Sequence, residues 1–121
     1  MKQFLVVDDS AVIRKVARRM LEGMRFDTAE AEDGHAALKA CGQRMPDAIL
    51  LDWNMPVMDG IEFLRQLRQL PEGGKPKVLF CTTEHDVTQI ARAMRAGADE
   101  YIMKPFDRAI MLSTLEAVGL A

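Results

Sequence analysis

No apolar run in this chain approaches the ~20 residues that a membrane-spanning helix requires. The start, Met1-Lys2-Gln3, runs directly into a strand-like segment, so no secretory leader is expected. A basic excess is also missing: 16 Lys and Arg stand against 18 Asp and Glu, for a net charge of −2. That balance argues against a general binder of nucleic acid or anionic membrane. Only two cysteines occur, Cys41 and Cys81, both in apolar contexts without His or Cys at ligand spacing. They read as reduced, buried thiols rather than a disulfide or zinc framework, and the expected location is the cytoplasm. There is no internal repeat and no low-complexity stretch. What remains is an ordinary soluble composition, 49% apolar and 28% charged over 121 residues, enough for one domain (1–121) with its own core.

Two hydrophobic periods alternate along the chain. Phe4-Leu5-Val6-Val7, Ala48-Ile49-Leu50-Leu51 and Val78-Leu79-Phe80-Cys81 are short continuous apolar runs, as expected of strands covered on both faces. Asp27 to Ala31 and Tyr101-Ile102-Met103 read as two further strands. Between them lie helical stripes. The first places Val12, Ile13, Val16, Ala17, Met20 and Leu21 inward and Arg14, Lys15, Arg18 and Arg19 on the opposite, solvated face, with Ser10 as cap and Gly23 at the end. A second helix spans Gly34 to Arg44. A third follows Asp59 and Glu62, which have capping-box spacing, and carries Ile61, Leu64 and Leu67. Val87, Ile90, Ala91 and Met94 mark a fourth, closed by Gly97, and Asp107 caps a fifth that runs through Val118. Five strand–helix repeats predict an α/β domain with a five-stranded parallel sheet wound on both faces by five helices.

The chemistry collects at the strand ends. Asp8 and Asp9, Asp52, Thr82 and Lys104 each lie just beyond an apolar run, and in a parallel sheet these ends open into one crevice. Three carboxylates brought together repel one another, and a hard divalent cation is the usual remedy. Mg²⁺ prefers a few carboxylates plus water and phosphate oxygens. Lys104 and Thr82 suit the remaining phosphoryl oxygens, and a carboxylate such as Asp52 can itself be the nucleophile that holds an acyl phosphate.

These residues resemble a known family. Phe4-Leu5-Val6-Val7-Asp8-Asp9, Asp52-Trp53-Asn54-Met55-Pro56, Met58-Asp59-Gly60, Thr82 and Lys104-Pro105-Phe106 stand in the order and spacing of response-regulator receiver domains, most nearly the CheY-like single-domain regulators. The resemblance covers the whole chain. It implies a flavodoxin-like, doubly wound sheet of order 2-1-3-4-5, and Asp52 as phosphoacceptor. Asp9, Asp52 and the Asn54 backbone carbonyl are then direct Mg²⁺ ligands, with Asp8 acting through metal-bound water. Lys104 contacts the phosphoryl group, Thr82 moves toward it, the Tyr101 rotamer follows Thr82, and Lys104-Pro105 can carry a cis peptide. Asn54 and Glu84 flank the in-line path of water and match the pair of fast-resetting chemotaxis regulators. Thr83 departs from the family, which usually has a small residue there.

The implied function is that of a two-component response regulator. It takes phosphate from a sensor histidine kinase or a histidine phosphotransfer protein. It then binds a downstream protein through its fourth helix, fifth strand and fifth helix, as a monomer and without nucleic acid or membrane. It is not an enzyme beyond its own phosphorylation and dephosphorylation. The chain ends soon after the fifth helix, so output by protein contact is expected. That favours chemotaxis and flagellar motor control, with a phosphorelay intermediate or phosphate sink as alternatives. A phosphatase with an aspartyl phosphate is less apt, because the place of its general acid is held by Asn54. A flavodoxin-like mononucleotide site is disfavoured by Asp8 and Asp9, which would repel a phosphate. His35 and His85 read as surface residues and Trp53 as a half-exposed neighbour of the acidic site. Met20 and Met94 are expected in the core, and Met55, Met58, Met103 and Met111 on an adaptable partner surface. The basic face of the first helix carries a kinase-docking role as its sharper reading.

Overall fold

A computed structural model describes residues 1–83 and 87–121. Ten elements alternate: β1 (Gln3–Val7), α1 (Ala11–Gly23), β2 (Asp27–Ala31), α2 (Gly34–Gln43), β3 (Ala48–Asp52), α3 (Gly60–Gln69), β4 (Lys77–Thr82), α4 (Val87–Ala96), β5 (Glu100–Met103) and α5 (Arg108–Ala117). The strands form one parallel sheet in the order β2-β1-β3-β4-β5, as the resemblance implied. Strand alternation divides the apolar runs between two cores. Leu5, Val7, Ile49, Leu51, Val78 and Phe80 face one cluster with residues of α2, α3 and α4. Phe4, Val6, Leu50, Leu79, Cys81 and Ile102 face the other, with Ala17 and Leu21 of α1 and Met111 and Leu115 of α5. In α3, Ile61, Phe63, Leu64 and Leu67 are buried, each contributing about 1.5–3 kcal/mol.

The caps hold α1, α2, α3 and α5 at the ends expected of them. Ser10, Asp59 and Asp107 accept the backbone N–H of Ile13, Glu62 and Ile110, and Asp33, which the sequence did not single out, accepts that of Ala36. The strands run slightly longer than the apolar runs, so Asp52 and Thr82 are the last residues of β3 and β4 rather than the first beyond them.

Three expectations are corrected. Val12 and Val16 are exposed rather than core. The α1 axis is rolled so that Arg14 and Arg18 lie over the sheet edge, where both pair with Glu30 of β2. Hydrogen bonds from Arg14 and then Arg18 lower the Glu30 pKa below its usual 4.5. The methionines are nearly inverted: Met55, Met58 and Met111 are buried, Met103 and Met20 are half-buried, and Met94 is exposed. Met58 fills the space over Gly34, where a Cβ would stand 2.7 Å from its sulfur. The apolar stripe of α4 also points largely outward, with Val87 exposed and Ala93 its buried residue.

Arg68, half-buried at the end of α3, ties together the edge of the sheet opposite the strand C-termini. Its guanidinium donates to the carbonyls of Gly97, Gly73 and Pro76 and to the Asp99 carboxylate. Gly97, at φ +118°, closes α4 on this clamp.

Candidate functional site

Asp8 and Lys104 follow β1 and β5, while Asp52 and Thr82 end β3 and β4, so the topology gathers all four at one rim of the sheet. Asp8, Asp52 and Thr82 are buried, and Asp9 is exposed. The Lys104 ammonium bridges the two buried carboxylates, 3.0 Å from Asp8 Oδ2 and 3.1 Å from Asp52 Oδ1. Asp8 is held further by the Ser10 N–H, which donates to its Oδ1 at 2.9 Å. Arg14 donates to the Asp8 carbonyl at 2.7 Å. Lys104 is fixed through its own backbone, whose N–H donates to the Thr82 carbonyl at 2.8 Å, and the Lys104–Pro105 peptide is cis.

The electrostatics follow from this crowding. Desolvation by burial, and then the Asp8 charge, raise the Asp52 pKa above 3.8, against Lys104 and the Asn54 backbone N–H, which lower it. Burial acts to lower the Lys104 pKa, but the hydrogen bond to Asp8 and the charge and hydrogen bond of Asp52 outweigh it, so the net shift is upward from 10.5. One ammonium thus offsets only part of the charge of three carboxylates. A hard cation fits this set: ligand oxygens of Asp8, Asp9 and Asp52 lie within 4.8 Å of one another. The donors are all carboxylate oxygens, the kind that Mg²⁺ selects.

The loop from Asp52 to α3 is pinned against the acceptor strand. The Trp53 N–H donates to the Cys81 carbonyl, and the Gly60 N–H to the Trp53 carbonyl. Gly60 is required by close approach, since a Cβ there would lie 2.7 Å from the Asp52 carbonyl oxygen. Val57, 83% exposed, holds φ at +70°. For a β-branched residue that conformation costs about 1–2 kcal/mol. Val57→Asn, which tolerates the left-handed region and loses no buried contact, is expected to raise stability by about 1 kcal/mol. A urea melt checks this: the midpoint rises with an unchanged slope, whereas an unchanged midpoint means that Val57 carries no strain.

Trp53 is half-buried beside the acidic cluster and packs on the core, while Asn54 and Thr83 are exposed. Tyr101 is half-buried, packs on the α2–α4 side and pairs with Phe80 in register. His35 is exposed. Glu84 and His85 lie outside the described residues. Missed from the sequence was a groove of about 520 Å³ next to the acidic rim, lined by Ile13, Val16, Thr83, Lys104, Pro105 and Phe106. Its α1 wall is Ile13 and Val16, both assigned to the core, and the exposure of Val16 could not be read from spacing alone.

Residues 4–116 match the family model of the response regulator receiver domain. The chemotaxis protein CheY-3 of Vibrio cholerae is 36% identical over 117 residues, covering 96% of this chain and 90% of the relative. The DNA-binding response regulator MtrA of Mycobacterium tuberculosis is 41% identical over 105 residues, 87% of this chain but 45% of the relative. Among solved structures, chemotaxis protein CheY4 of Vibrio cholerae superposes with a TM-score of 0.93 at 33% identity, covering 98% of each chain. Sequence, sheet order and relatives agree: the chain belongs to the response-regulator receiver family.

Proposed function

We propose that this receiver domain accepts a phosphoryl group on Asp52 in a Mg²⁺-dependent reaction and signals through phosphorylation-dependent protein binding. The observation that carries this reading is the buried Asp52 carboxylate, held 3.1 Å from Lys104 within a three-carboxylate cluster. Asp9, Asp52 and the Asn54 carbonyl would hold the metal directly and Asp8 through water. Bound there, Mg²⁺ supplies charge neutralisation to the phosphoryl oxygens. Asp52 presents its oxygen to the incoming phosphorus. Lys104 is poised to leave Asp52 for a phosphoryl oxygen, keeping Asp8 as its anchor. Thr82 supplies a hydroxyl to another oxygen. Asn54, with Glu84, orients the water that later hydrolyses the acyl phosphate, and Thr83 at the rim bears on its access. The protein catalyses no reaction but its own phosphorylation and dephosphorylation.

Strand alternation supplies the output route. Asp52 shares its face with Ala48 and Leu50, on the α1–α5 side. Thr82 shares its face with Val78 and Phe80, on the α4 side, where Tyr101 also packs. A pull on Thr82 is therefore felt by α4, whose exposed Val87 and Met94 offer apolar contact beside β5 and α5. The phosphodonor, a sensor histidine kinase or histidine phosphotransfer protein, fits the other side. There Val16 lines the groove to Phe106, and Val12, Lys15 and Arg19 are exposed on the same helix. Similarity to chemotaxis proteins over nearly the full chain favours a chemotaxis role, and the reading is completed by a monomeric, cytoplasmic protein whose target is a flagellar motor. A relay or phosphate-sink role shares the same site.

Beryllofluoride with Mg²⁺, an acyl-phosphate mimic, tests the route by amide NMR. The expected chemical-shift changes extend from Asp52 to Ala91, Arg95, Tyr101 and α5. Changes confined to the loop after Asp52 would show that binding is not transmitted.

A further inference from the structure

A hollow of about 270 Å³ between α3 and α4 is lined by Arg65, Arg92, Arg95 and Ala96. Three guanidinium groups from two helices thus border one small space on a chain whose net charge is −2. Among the described residues they are little compensated. Arg65 has one carboxylate near it, Glu62 at 3.9 Å, and both side chains are at least half-exposed. Arg92 donates to the neutral amide of Gln89. Arg95 makes no ion pair with any described residue. Arg68, one turn along α3 from Arg65, shows the contrast, because its guanidinium is fully committed to backbone carbonyls and Asp99.

We propose that this hollow is a binding site for the phosphate end of a small phosphorylated ligand of nucleotide size or less. Arginine is suited to this because its planar fork meets phosphate oxygens two at a time. The space is smaller than pockets that enclose whole organic ligands, so the phosphate enters and the remainder projects outward. The concave shape favours a compact anion over an extended acidic peptide, which would need a longer basic track. The site is separate from the carboxylate rim and uses the flank of α4 that faces α3, not the flank bearing Val87 and Met94.

The test is titration of the unphosphorylated, Mg²⁺-free full chain with inorganic pyrophosphate at constant ionic strength, followed by arginine side-chain and amide NMR. Saturable shifts are expected at Arg65, Arg92 and Arg95. The R65Q/R92Q/R95Q variant, changed only at exposed helical positions, is expected to bind at least tenfold more weakly while its remaining spectrum stays folded. Equal binding by the variant would overturn the proposal, as would shifts of the same size at Lys15 and Arg19, which mark general anion condensation. A hepta-glutamate peptide that binds the three arginines more tightly than pyrophosphate would overturn it in favour of an acidic protein partner.

Discussion

Asp52→Asn protein incubated with Mg²⁺ and labelled acetyl phosphate is expected to take up no label, while the native chain is expected to take up label that excess EDTA abolishes. The same substitution is expected to raise the melting temperature in Mg²⁺-free buffer. The first outcome follows from loss of the nucleophilic carboxylate, the second from the crowding around it. Burial and the Asp8 charge raise the Asp52 pKa above 3.8, so the folded state holds an ionised carboxylate that the unfolded chain would carry more easily. This destabilisation is fully present above the raised folded value, hence at neutral pH. It fades as pH falls through that value toward 3.8. The stability gap between variant and native chain should therefore narrow on acidification. Added Mg²⁺ should raise the native melting temperature more than that of the variant, which offers one fewer anionic ligand. Label on the variant at native levels would remove Asp52 from the reaction. A variant that melts lower would mean that the Lys104 contact outweighs the crowding.

Lys104→Ala is expected to have the second large effect, in three separable parts. Two carboxylates, each less than a tenth exposed, lose the cation between them. Removing one partner from a buried charge set costs about 3 kcal/mol. Because the Lys104 pKa is raised above 10.5, its contribution is complete at neutral pH and is lost only as pH climbs through the raised folded value. The acidic site becomes more negative, so Mg²⁺, read by Trp53 fluorescence, should bind about tenfold more tightly and restore much of the lost stability. The gain in partner affinity on beryllofluoride binding should vanish, since the ammonium that reads the phosphoryl oxygen is gone. A variant that keeps that gain would strip Lys104 of its part in switching, whatever its stability.

The sequence made the site legible because parallel strands all end on one side. A charged residue at the end of an apolar run is unremarkable once, but Asp8, Asp52 and Lys104 at three such ends imply one crevice. The helix faces were less legible. Val12 and Val16 in α1, and Val87 and Met94 in α4, have the spacing of a core stripe, yet spacing reports only that a helix has an apolar side. Which side meets the sheet depends on the roll of the helix. In α1 that roll is fixed by Arg14 and Arg18 reaching Glu30 across the edge strand. Arg68 was invisible for a related reason, because most of its partners are backbone carbonyls, which have no residue identity to read.

The two cysteines, buried on opposite sides of the sheet, give the molecule a pair of internal clocks. Burial pushes the Cys41 thiol up to about 11 and the Cys81 thiol up to about 12, so almost no thiolate exists in the folded state at neutral pH. Alkylation must then wait for the chain to open. Cys41 lies on α2, a peripheral helix, and Cys81 in β4, inside the sheet. The slower of the two labelling rates measures opening of the whole sheet, and any excess in the other measures how often α2 departs on its own.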